Sequence, residues 1–158
     1  MKKLNRKGFT LIELLAVIVI MGILMLVAIP AVQKYMKDSK AKAFANSAHE
    51  LVNAVSTNYL AQSEDFNCTG DSPYIVSIAE ANKLMDTPMK SSYKADSPLH
   101  GYIQISVDSN GKATYKIAVT DDEGNGFKDL TSTNDLVGKK VKKEGKASDI
   151  TTTCTVTE

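Results

Sequence analysis

The chain has almost no arginine and no tryptophan: of its 158 residues, Arg6 is the single arginine. A polar region without arginine lacks the planar, five-donor fork that binds phosphate and carboxylate bidentately, which weighs against a phosphate-handling enzyme. The usual catalytic signatures are missing too, with no G-x-S-x-G, H-E-x-x-H, P-loop or G-x-G-x-x-G in the sequence. The two histidines, His49 and His100, stand beside no nucleophile or carboxylate pattern that sequence would single out, so no enzymatic activity is expected. Charge is scarcest between Phe9 and Val32, where twenty-four residues hold one ionisable side chain, Glu13.

That apolar run dominates the chain. As a helix it rises about 1.5 Å per residue and spans roughly 36 Å, enough to cross the hydrocarbon core of a bilayer. It is longer than a secretory signal's apolar core, and such cores seldom carry an acid near their start, so a cleaved secretory signal explains it badly. A carboxylate in hydrocarbon costs at least a few kcal/mol when unpaired. No cation lies inside the run, so Glu13 is expected to need a partner from elsewhere. Lys2, Lys3, Arg6 and Lys7 precede the run and would hold that end at the cytoplasmic face, leaving the rest outside as a single-pass protein. The net charge of +1 depends on them: taking these four from the 19 basic residues leaves 15 lysines against 18 acids, a net −3.

From Ala31 to Ala61 there is no Gly or Pro, and Phe44, Ala48, Leu51, Val52, Val55 and Tyr59 share one helical face. A helix of roughly fifty residues is predicted, half membrane span and half amphipathic spine. Residues 63–99 read as polar loops around one short helix, Ile78 to about Met85, opened by the capping box Ser77-Ile78-Ala79-Glu80 and closed before Pro88. From His100 the period becomes alternating. Tyr102–Val107 and Tyr115–Val119 read as a hairpin turning at Asn110-Gly111, with Ile150–Val156 a final strand and Phe127–Leu130 and Leu136–Val141 further short ones. The fold class is therefore α+β: a long N-terminal helix laid under an antiparallel sheet of three to five strands.

One stretch carries a specific resemblance. Lys7-Gly8-Phe9-Thr10-Leu11-Ile12-Glu13-Leu14, followed by Gly22 and Pro30 in an apolar helix, resembles the start of a type IV prepilin, a family shared with type II secretion and competence pseudopilins. The resemblance implies cleavage between Gly8 and Phe9 by a membrane prepilin peptidase, and N-methylation of Phe9. A methylated amine remains a cation, and the family reading pairs it with Glu13 of a neighbouring subunit, with Thr10 in the same assembly motif. Residues 1–8 would then be a leader, 9–32 the transmembrane and polymerisation helix, and 33–158 the head, including the spine helix 33–61. Gly22 and Pro30 mark either a simple bend or a span that loses helicity in a filament. The implied function is a structural subunit, held in the plasma membrane and then polymerised into an extracellular helical filament with other pilins by an inner-membrane platform. Adhesion, motility, aggregation or DNA uptake are the roles open to such a filament. A pseudopilin of a secretion or uptake apparatus is the alternative, and a monomeric tethered ectodomain is a rival from another class.

Three smaller patterns need weighing. Asp121, Glu123, Asn125, Gly126 and Asp129 imitate the first half of an EF-hand loop, but Ser132 stands where the closing acid belongs, so a polar turn competes with a calcium site and no other cofactor is expected. Lys139, Lys140, Lys142, Lys143 and Lys146 form a basic cluster that could attract DNA or an anionic host surface, yet it contains no aromatic for base stacking. Cys68 and Cys154 suit a disulfide in an exported head; free thiols, or zinc held together with His49 and His100, are the alternatives, and no C-x-x-C or H-x-x-x-H spacing supports zinc.

Overall fold

The computed structural model describes residues 9–157. Helix α1 runs from Leu11 to Ala61, and the chain divides into two compact units, Met1–Lys37 and Asp38–Glu158. In the first unit α1 is helical throughout, Pro30 included, and its large apolar side chains from Phe9 to Met36 are exposed.

The second unit builds the core. Ala41, Phe44, Ala45, Ala48, Leu51, Val52 and Val55 are buried along one stripe of α1, the three-to-four spacing that an amphipathic helix turns toward a neighbour. They pack with Val76, Ile103, Ile105, Ile117, Val119 and Phe127 of the sheet in one apolar cluster, and Tyr59 packs against its edge. The helix ends where Gln62 adopts a left-handed φ of +50°, with Ser63 N–H donating to Asn58 O and Gln62 N–H to Tyr59 O. This pair of reversed bonds satisfies carbonyls left over by the last turn, a Schellman ending with glutamine in the place glycine usually takes.

Seven strands follow: β1 (Phe66–Cys68), β2 (Tyr74–Ser77), β3 (Leu99–Val107), β4 (Ala113–Asp121), β5 (Asn125–Ser132), β6 (Lys142–Lys143) and β7 (Cys154–Val156). β2 to β6 form a five-stranded antiparallel meander in chain order, while β1 and β7 pair separately, Phe66 opposite Val156 and Cys68 opposite Cys154. The β3–β4 register puts Ile103 opposite Ile117 and Ile105 opposite Tyr115, and the connecting turn closes through Gly111, whose φ of +78° suits a residue without Cβ. Helix α2 (Ile78–Lys83) follows β2 directly. Ser77 caps it by accepting from Glu80 N–H, but the Glu80 carboxylate accepts from Val156 N–H of β7 at 2.8 Å instead of closing the box on Ser77.

The helix, the hairpin and the strand around Phe127 match the sequence expectation, and three expectations need correction. Residues 63–99 are not only loop and helix, since they include β1 and β2, which are three and four residues long. Leu136–Val141 is not a strand: a 3₁₀ turn at Thr133–Asp135 precedes it and another, Gly138–Lys140, lies within it, so that Leu136 is a single buried plug rather than one face of an alternating strand. The final strand is shorter than predicted, and begins at Cys154.

Candidate assembly site

The first turn of α1 is a reciprocal cap. Thr10 N–H and Thr10 Oγ1 each donate to Glu13 Oε2 at 2.8 Å, and Glu13 N–H donates to Thr10 Oγ1 at 3.3 Å. Thr10 is thus the N-cap and Glu13 the third helical residue of a capping box, which also sets the acid at the positive end of the helix dipole. Sequence reasoning expected the Glu13 partner to come only from elsewhere and missed the local one, although T-x-x-E before an apolar run is the signal for it. The cap occupies Oε2, whereas Oε1 has no hydrogen bond among the described residues.

Beyond the cap, α1 offers a nearly unbroken apolar surface. Phe9 is 89% exposed, Leu11 83% and Leu26 79%. By length and composition this is a helix able to cross a membrane. A side chain built on Gly22 would meet nothing within 4 Å, so the smallness of Gly22 is not required by packing within one chain. Pro30 lies inside the continuous helix. Gly8 and the basic residues before it lie outside the described residues.

The head carries the other candidate residues. Cys68 and Cys154 are joined by a disulfide across β1 and β7, which leaves neither sulfur free as a metal ligand. Among the described residues no three His, Cys, Asp or Glu side chains gather in a metal-binding group. Asp121 is fully buried. Its Oδ1 accepts from Glu123 N–H, Asn125 N–H and Asn125 Nδ2, and its Oδ2 from Ser91 Oγ and Asn125 Nδ2. Burial alone would raise its pKa, but these donors outweigh it and hold the carboxyl below its ordinary value. Both oxygens are committed to protein donors, Asn125 gives hydrogen atoms rather than an oxygen, and Glu123 faces Lys94 and Lys143. This donor set does not fit a calcium ion; Asp121, Glu123 and Asn125 form a self-satisfied turn.

The basic cluster is largely neutralised in place. Lys140 pairs with Asp135 at 2.5 Å, Lys142 with Glu144 at 2.9 Å, Lys143 with Glu123 at 3.6 Å, and Lys146 with Asp122. Lys139 lines a groove of about 680 Å³ with Asp38, Ala41, Lys42, Ala45, Leu136 and Val137. A stripe of cations free to track a polyanion is not what these residues build. His49 is half-buried on α1.

A membrane-capable helix with a capped acid in its first turn, carrying an α+β head, defines a class of anchored subunits. Comparison with known proteins places the chain within it. The family model described as the prokaryotic N-terminal methylation motif matches residues 3–29. A type IV major fimbrial protein, FimA, of Dichelobacter nodosus is 32% identical over 123 residues, 76% of this chain and 72% of the relative. The fimbrial protein EcpC of Eikenella corrodens is 48% identical over 59 residues, and a fimbrial protein of Moraxella nonliquefaciens 45% identical over 53. The last two matches cover 37% and 34% of this chain, and only 39% and 34% of those relatives. No solved structure matches. The chain belongs to the type IV pilin family, whose members are structural subunits and not enzymes.

Proposed function

We propose that this chain is made as a membrane precursor with its head outside, is cut between Gly8 and Phe9 by a prepilin peptidase, is methylated at Phe9, and is then polymerised through Phe9–Val32 into an extracellular pilus filament. In this reading residues 1–8 are the leader and 33–158 the head. The observation that carries it is the exposed apolar surface of Phe9–Val32, whose one ionisable side chain is Glu13. Such a surface needs lipid before assembly and neighbouring helices afterwards, so transfer changes its neighbours more than its polarity.

Cleavage creates a cation at Phe9, one turn from Glu13. The Thr10 cap occupies one carboxylate oxygen, and the other can accept from the ammonium of an adjoining subunit. In a helix bundle an unpaired acid and an unpaired amine are each costly, so the pair favours addition of a subunit and sets its axial register. Gly22 and Pro30 supply the place where the helix can extend or unwind under load. The relatives bear the names of fimbrial proteins, FimA that of a type IV major one, which favours a pilus subunit over the pseudopilin alternative. Which surface the filament touches is not carried by the lysine cluster, most of which is paired within the head.

The test is the intact mass and N-terminal sequence of the chain recovered from cells with and without the peptidase. The expected product starts at N-methyl-Phe9 and reverts to the full precursor without the enzyme. A chain that keeps Met1 in both would remove this reading.

A further inference from the structure

His100 lies at the start of β3, opposite Thr120 of β4. Its ring is held between two carboxylates: Nδ1 lies 3.3 Å from Asp149 Oδ2 and Nε2 lies 3.3 Å from Asp122 Oδ1. Asp122 directly follows β4, and Asp149 belongs to the segment that links β6 to β7. Lys146, in that same segment, pairs with Asp122. Asp122 from the sheet end and Asp149 from the crossing segment are thus the charged groups that touch the ring, and Lys146 reaches it only through Asp122.

An ionised carboxylate only accepts hydrogen bonds, and a neutral imidazole has a single N–H. Both contacts can be hydrogen bonds at once only when the ring is an imidazolium. We propose that His100 is a proton-operated clasp that fastens the segment Lys146–Asp149 onto the β3–β4 end of the head. The fastening has a permanent part and a conditional part. Asp149 Oδ1 accepts from Gly101 N–H at 2.9 Å, and Ala147 N–H donates to Thr120 Oγ1 at 2.8 Å, whatever the state of the ring. The Asp149–His100–Asp122 bridge depends on the proton. When the ring loses it, one N–H remains for two acceptors; Asp122 can fall back on Lys146, and Asp149 retains the Gly101 amide. The segment then loosens without leaving, and with it the exposed face that includes Asp149 and Ile150. The bridge is half open to water, which keeps its effect modest.

The test is hydrogen exchange by mass spectrometry on the full chain in detergent micelles from pH 5 to pH 8, corrected for intrinsic exchange, with His100 protonation followed by its ring ¹⁵N resonances. Peptides covering residues 144–153 are expected to exchange about two- to fivefold faster once the ring is neutral. The trend should vanish in His100→Gln and in Asp149→Asn, which keeps an acceptor for Gly101, and should persist in His49→Gln. Exchange of this segment that is independent of pH in the wild type, or a trend that survives in His100→Gln, would overturn the proposal.

Discussion

Asp121 shows how a single side chain can organise a turn. Buried and charged, it is tolerated because five hydrogen-bond contacts from Ser91, Glu123 and Asn125 converge on its two oxygens. Removing the acceptor strands several buried donors, so Asp121→Ala is expected to destabilise the head by about 2–4 kcal/mol, measured by urea unfolding of the full chain in micelles followed by circular dichroism. Other carboxyls are held low for separate reasons: Glu80 by the Val156 amide, against the opposing effect of burial and with help from Lys83; Asp149 by the Gly101 amide; Asp122 by Lys146 and His100. A carboxyl whose folded pKa lies below its unfolded one contributes stability that is fully present above the unfolded value and is lost as pH falls through the folded one. The contribution of these carboxyls is therefore expected to be level down to about pH 4.5 and to fall below about pH 4, with the fall shallower in Glu80→Gln. An acid titration that finds no such decline, or the same slope in the variant, contradicts this assignment.

Elements fail or hold at their ends and seams. α1 closes on Gln62 in a left-handed conformation that costs an L-residue roughly 1 kcal/mol. Gln62→Gly is expected to raise stability by about 0.5–1 kcal/mol in the same denaturant assay, and no gain would mean that the Gln62 side chain supplies a contact of comparable worth. At the β4–β5 seam, where the register shifts between Ile117 and Val119, Gly126 has a φ of +145°, and a Cβ there would lie 2.2 Å from Val119 O and 2.9 Å from Phe44. Gly126→Ala therefore forces the strand off its neighbour and is expected to cost about 2 kcal/mol or more. The β1–β7 pair is too short to stand alone and depends on Cys68–Cys154, which closes a separation of 86 residues. Replacing both cysteines by alanine is expected to cost about 2–5 kcal/mol and to expose residues 66–68 and 154–156 to amide exchange before the meander opens.

At the scale of the whole molecule, legibility followed periodicity. The stripe from Phe44 to Tyr59 and the alternation around Ile103, Ile105, Ile117 and Val119 are long enough to declare helix and strand, and they carry most of the core. β1, β2 and β6 span four residues or fewer, below the length at which alternation shows, and are held by their partner strands, β1 by the disulfide as well. Leu136–Val141 misled because a lone buried leucine between 3₁₀ turns has the composition of a strand without its pattern. The apolar helix and its single acid stand out on hydropathy, and the Thr10–Glu13 cap is legible in the T-x-x-E spacing at the head of the run. The EF-hand likeness at Asp121 repeated oxygen-bearing residue types but could not show that Asn125 turns its N–H groups, not its oxygen, toward the aspartate.

The central claim is that Phe9–Val32 is an assembly helix whose Glu13 meets the amine of a neighbouring subunit. The measurement that bears on it most directly is the amount of this chain in sheared surface filaments against the amount left in the membrane, for wild type and for Glu13→Ala, with processing at Phe9 checked in both. Abundant filaments are expected from the wild type and a loss of about tenfold or more in the variant, with processed subunits retained in the membrane. Equal filament yields from the two would contradict the charge-pairing account, and processed wild-type protein that never leaves the membrane would contradict the filament itself.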